Sequence, residues 1–181
     1  MTYAYFDSSA ILDWLQSSTP DCLDKVRVCG SAVATTLADG STACGTTELA
    51  LIEVLNGIHT LWRSTDRSAV QYDEQWARES QARLMEAVGR GRLTVLHATA
   101  ADFEHALMLV TQMTEQHGRN FRAWDAVHLR IAVQWSRELG KRVEMMTSDG
   151  DFQEFLQLHP VFDRCIIIRD LRLGEMRTEG P

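Results

Sequence analysis

Short β-prone runs alternate with longer segments of helical periodicity along almost the whole chain, and this alternation restricts the fold more than any other feature. "TYAYF" (2–6) precedes "SSAILDWLQ", whose serines and apolar spacing mark a helix start, and "RLTVLHA" precedes "TAADFEHALMLVTQMTEQHG". "RVEMMT" precedes the turn "SDGD" and the short helix "FQEFLQL", and "RCIIIRD" closes the series. Strands separated by helices cannot pair as hairpins. They predict an α/β chain with a central parallel sheet covered on both faces, and place any site at the carboxyl ends of the strands.

Between these pairs, "TTELALIEVLNGIHTLW" predicts a buried helix from about Thr47 to Trp62, and "SAVQYDEQWARESQARLMEAVGRG" a more polar one stopped by its glycines. "FRAWDAVHLRIAVQWSRELG" predicts a long helix ending at Gly140. Ser17 to Gly45 is rich in Ser, Thr, Ala and Gly; there the reading is a short helix near Asp21 to Val28, then loop and a brief strand. At 181 residues and 45% hydrophobic content the chain suits one domain, 1–181. It has no apolar run of the roughly 18 residues a membrane span needs and no secretory leader pattern, so a cytoplasmic protein with no membrane association is expected.

Twenty-five acidic residues against 18 basic give a net charge of −7, which argues against holding nucleic acid by bulk electrostatics; any such contact must be local. The four cysteines, Cys22, Cys29, Cys44 and Cys165, are scattered without CxxC or Cys/His spacing, so neither a zinc site nor a disulfide framework is expected.

Four acids occupy unusual positions. Asp7 and Asp149 each follow a strand, whereas Glu53 and Asp125 lie among apolar residues inside helices, "LIEVL" and "AWDAV". Alone, Asp7 or Asp149 reads as a helix cap and Asp125 as a first-turn acid favoured by the helix dipole. Glu53 resists that account, because an unpaired carboxylate in an apolar helix needs a cation or a dense set of hydrogen bonds. Carboxylates converging at one sheet end repel each other, and a hard divalent cation, Mg2+ or Mn2+, relieves that repulsion with oxygen ligands alone. Such a centre suits hydrolysis of a phosphodiester.

"YFDSSAIL", "TELALIEVL", "AWDAVHLRIA" and "TSDGDF", in that order over residues 3 to 152, resemble the four acidic motifs of PIN-domain nucleases, and most closely the VapC-type toxins of toxin–antitoxin systems. The resemblance implies a three-layer α/β/α PIN-like fold and a metal-dependent endoribonuclease. It implies Asp7, Glu53, Asp125 and Asp149 as the catalytic, metal-holding acids, Mg2+ or Mn2+ as cofactor, RNA as substrate, a small protein antitoxin as partner, and a homodimer. Glu48 competes with Glu53 for the second acid; Glu53 is preferred because it precedes the apolar pair Val54 and Leu55, and because Glu48 already has a first-turn role. Ser9 is expected to orient Asp7 or a metal-bound water, Thr147 to bond a ligand carboxylate, and Asp151 to cap a helix or join the site. His128, one turn beyond Asp125, reads as an ordinary helix histidine. Arg78, Arg83, Arg90 and Arg92 are phosphate-contact candidates on a face that reads first as solvated. A haloacid-dehalogenase-like phosphatase is disfavoured, since its second aspartate would fall at Ser9. A non-catalytic PIN-like RNA- or protein-binding module is the alternative.

Overall fold

A computed structural model describes residues 1–64, 70–117, 122–159, 162 and 164–173. Five strands, β1 (Thr2–Phe6), β2 (Thr42–Thr47), β3 (Thr94–Leu96), β4 (Val143–Thr147) and β5 (Ile166–Asp170), form one sheet in the order β3-β2-β1-β4-β5. Every pairing is parallel: Tyr3 lies opposite Ala43, Tyr5 opposite Met145, and Met145 opposite Ile168. The strand order reverses direction at β1, whose neighbours are β2 and β4, and a crevice forms beyond the carboxyl ends where this happens.

The two-residue period of β1 assigns its side chains to two cores. Ala4 and Phe6 join the cluster made with α1 (Ser8–Gln16), α2 (Asp24–Ala38), α3 (Glu48–Arg63) and α4 (Glu74–Gly89). Tyr5, Val143 and Met145 join the opposite one, made with α5 (Ala100–His117), α6 (Ala123–Leu139) and α7 (Asp151–Leu158). This is the expected three-layer α/β/α arrangement. No described helix is long and apolar enough to cross a membrane.

The structure corrects the reading of Ser17 to Gly45. A fifteen-residue helix, α2, occupies much of it, and Gly30 lies inside that helix. A Cβ on Gly30 would overlap the Asp13 carbonyl and the Ser17 side chain, so this glycine allows α1 and α2 to touch and does not break the helix. The polar helix also starts later than its pattern suggests, because Asp73 accepts a 2.7 Å hydrogen bond from the Trp76 amide and caps α4. The first residues assigned to it, Ser68 and Ala69, lie outside the described residues. Gly140 closes α6 in the left-handed conformation with φ 60°.

Candidate metal centre

Asp7 directly follows β1 and caps α1, its Oδ1 accepting from the Ala10 amide at 2.8 Å. Ser9 donates to both carboxylate oxygens, at 2.8 and 3.0 Å, and Thr147, at the end of β4, donates to Oδ2 at 2.6 Å. The Thr147 hydroxyl also accepts from the Asp149 amide at 2.9 Å, so one side chain ties the first acid to the turn carrying the fourth. Ser9 reinforces that tie by accepting from the Ser148 amide at 3.0 Å. Asp7 is 3% exposed; burial pushes its pKa up despite the hydrogen bonds from Thr147, Ala10 and Ser9 that favour the carboxylate.

The two glutamates of α3 face different surroundings. Glu48 accepts from the Ala98 amide at 3.1 Å and lies near His97, which engages it with the β3–α5 connection. Glu53, a turn and a half further, meets His128 Nε2 at 2.8 Å. Burial pushes the Glu53 pKa up, but the His128 hydrogen bond and charge, the Ser8 hydroxyl and the nearby Arg122 together outweigh it and hold the group low.

Asp125 sits in the first turn of α6 and is 8% exposed. Arg122, just before that helix, donates through Nε to Asp125 Oδ2 at 2.8 Å and through Nη2 to Asp149. Burial first, with the like charge of Asp149, pushes the Asp125 pKa up to about 6 against the pull of Arg122 and His128. In the turn after β4, Asp149 Oδ1 accepts from the Asp151 amide at 3.0 Å. Carboxylate oxygens of Asp125, Asp149 and Asp151 lie within 4.8 Å of one another, the one such acidic group among the described residues. Asp151, read as a cap or a site residue, therefore stands with Asp125 and Asp149. Asp7 and Glu53 are outside that triad; Thr147 ties Asp7 to the Asp149 amide, and Glu53 is bonded to His128, with the charge of Arg122 nearby.

The donor set is all carboxylate, partly desolvated and mutually repelling, which fits a hard divalent cation with oxygen ligands. An all-oxygen set does not distinguish Mg2+ from Mn2+.

Several residues around the acids carry little signal in the sequence. His128 is 1% exposed, with the Tyr5 hydroxyl 2.9 Å and the Thr47 hydroxyl 3.3 Å from Nδ1. Asp13, on α1, is a further acid beside the site; burial pushes its pKa up to about 6 although the Ser148 and Cys29 side chains hydrogen-bond to it. Arg172 pairs with Asp170 through Nε at 2.9 Å and Nη2 at 2.7 Å and packs on Gly150, in the turn after β4. The spacing R-x-x-D-x-x-H over 122–128 is the one sequence sign that Arg122 and His128 share a helical face with Asp125.

Of the arginines considered for phosphate contact, Arg78 pairs with Glu74 and Arg90 with Glu86 on the exposed face of α4. Arg83 lies over the Trp14 ring, 5.0 Å from its centroid, and bonds the Ser18 hydroxyl at 2.7 Å, while Arg92 helps line a small pocket beside it. None of the four contacts the acids.

The sheet order and flanking layers define a PIN-like α/β/α fold, with this corner of acids beyond its strand ends. The solved structures it resembles include VapBC2 from Rickettsia felis bound to a promoter DNA fragment, with TM-score 0.56 and 12% identity over 93% of this chain and 98% of that one. FitAcB from Neisseria gonorrhoeae aligns with TM-score 0.54 and 15% identity over 91% and 96% of the two chains. Mycobacterium tuberculosis VapC20, a sarcin–ricin loop cleaving toxin, aligns with TM-score 0.51 and 17% identity over 83% and 93%. At these identities the likeness is one of fold. No protein-family model matches the sequence, and no curated protein matches it significantly.

Proposed function

We propose that the chain is a metal-dependent endoribonuclease and the toxin of a type II toxin–antitoxin pair, folded as a single domain over 1–181. The observation that carries this reading is the convergence of Asp125, Asp149 and Asp151, with Asp7 tied to the same corner by Thr147, on a fold resembling a sarcin–ricin loop cleaving toxin. Asp7, Glu53, Asp125 and Asp149 hold one or two Mg2+ or Mn2+ ions, with Asp151 completing the acidic corner. The bound metal supplies an activated water and charge stabilisation at the phosphodiester. Ser9 and Thr147 keep the Asp7 carboxylate in one orientation. Cleavage leaves 5′-phosphate and 3′-hydroxyl ends.

The partner is a small antitoxin, a reading that the likeness to VapBC2 and FitAcB supports, and the functional unit is a cytoplasmic homodimer. In the test, purified chain is incubated with RNA and Mn2+, and Asp7→Asn and Asp125→Asn are expected to abolish cleavage while circular dichroism stays unchanged. Full metal-dependent cleavage by the double variant refutes the reading. Arg122 favours a second reading, because its guanidinium already pairs with Asp125 and Asp149. A non-catalytic binding module neutralised in this way would show no thermal stabilisation by millimolar Mn2+, whereas the nuclease reading requires it.

A further inference from the structure

The histidine inside α6 is fully enclosed, yet each ring nitrogen faces a polar partner. Nε2 lies 2.8 Å from Glu53 Oε2, on a side chain 32% exposed at the edge of the acidic corner. A carboxylate only accepts, so Nε2 carries the shared proton, and Nδ1 is engaged on the other side by the Tyr5 hydroxyl at 2.9 Å. Thr47 stands 3.3 Å from the same nitrogen and is itself fixed by the Ala50 amide at 3.1 Å. Tyr5 and Thr47 are wholly buried, at the carboxyl ends of adjacent strands.

We infer that His128 is a positioning residue for the second acid, holding the Glu53 carboxylate at the metal site through Nε2 while Tyr5 and Thr47 lock its ring from within the sheet. A histidine present only to fill space would carry an unnecessary desolvation cost, since an apolar residue packs there without polar partners. Here every polar atom of the ring is engaged, and the chain of contacts ends on Glu53, the one of the four candidate acids borne in a helix interior. That satisfies the condition under which a carboxylate survives inside α3, and it restricts Glu53 to one orientation. Partners that orient metal-holding groups in this manner are worth about 10–100-fold in metal affinity.

The proposal rests on the metal-centre reading, and its test reads metal binding rather than cleavage. Mn2+ binding to the full chain is measured by calorimetry for the wild type, His128→Asn and His128→Gln, with folding checked by thermal melts in EDTA. Both variants carry an amide, but only glutamine reaches Glu53. Asparagine is expected to weaken Mn2+ binding by about tenfold, and glutamine to restore most of it. In a Glu53→Ala background, His128→Asn is expected to have no further effect on Mn2+ affinity, because its action passes through that carboxylate.

Equal Mn2+ affinity of wild type and His128→Asn overturns the proposal, as does an undiminished loss in the Glu53→Ala background. If an amide variant does not fold, Tyr5→Phe carries the test: weakened Mn2+ binding supports the lock, and unchanged binding overturns it. A wild type that binds no Mn2+ overturns the nuclease reading and this proposal together.

Discussion

Asp13→Asn should stabilise the protein at neutral pH and leave it unchanged in acid. Burial raises the Asp13 pKa from an ordinary 3.8 to about 6, so the folded state holds its proton more tightly than the unfolded chain does. Between those values the native state binds more protons, and linkage then requires stability to fall as pH rises. The stabilisation is fully present below about pH 4 and lost by about pH 6. At 1.36 kcal/mol per pH unit the displacement corresponds to roughly 3 kcal/mol, and because the carboxylate is partly exposed, screening reduces it to about 1–2 kcal/mol. Asparagine keeps an oxygen to accept from Ser148 and Cys29 and removes the charge. Urea unfolding in EDTA should therefore show the variant more stable by about 1–2 kcal/mol at pH 7.5, with the gap closing by pH 4. A gap independent of pH, or a variant less stable at pH 7.5, would refute burial as the dominant influence on this group.

Gly30→Ala sets propensity against packing. Alanine should gain about 1 kcal/mol in a helix interior, but its Cβ overlaps backbone of α1, so we expect a net loss of about 1–3 kcal/mol in urea unfolding; a stabilised variant would show that the two helices do not meet as described. Asp102→Ala removes the partner of Arg130, whose Nε lies 3.2 Å from Oδ1 without hydrogen-bond alignment, together with the acceptor that caps α5 through Thr99. Because Asp102 is 2% exposed and Arg130 only 18%, a loss of about 3 kcal/mol is expected, checked by the same measurement. Gly150→Ala would drive its Cβ into the Arg172 guanidinium and disturb the turn bearing Asp149; Mn2+ affinity should fall more than thermal stability does, as calorimetry and melting together would show.

The layered fold was legible because its periodicities are clean. β1 alternates between two cores, and the parallel order follows from helices standing between strands. Ser17 to Gly45 was misread because Gly30, taken with its small polar neighbours, imitates a loop, while its actual role depends on Asp13 and Ser17 lying opposite it. No local pattern encodes that contact. Two of the acids stood out for a sound reason, since carboxylates in apolar helical surroundings demand partners, but the partners themselves were not legible. Arg122 and His128 are unremarkable in composition, and only α6 packing against the sheet brings one to Asp149 and the other to Glu53. Asp13 was missed for the same reason, its burial and its nearness to Ser148 being tertiary facts.

The sheet order explains why residues so far apart in the chain share one corner. β1 lies between β2 and β4, so Asp7 follows the middle strand, Asp149 follows the neighbour on one side, and α3 with Glu53 follows the neighbour on the other. Side chains at the ends of those three strands connect them: Thr147 bonds Asp7 and the Asp149 amide, and Tyr5 and Thr47 meet at the His128 ring that holds Glu53. Asp7 and Glu53 are thus each held by a residue more deeply buried than itself and Asp149 by a turn of backbone, so these three cannot relieve their repulsion by moving away, whereas Asp125 is bonded by the exposed Arg122. Arg122, 64% exposed and paired with Asp125 and Asp149, is the exposed cation in the arrangement. A divalent cation entering the corner would compete with that guanidinium for Asp125 and Asp149, so Arg122→Ala should tighten Mn2+ binding in the same calorimetric assay in which His128→Asn weakens it. Weaker binding by Arg122→Ala would mean instead that the arginine organises the acids, and opposite signs for the two variants are what separate a competitor from a support.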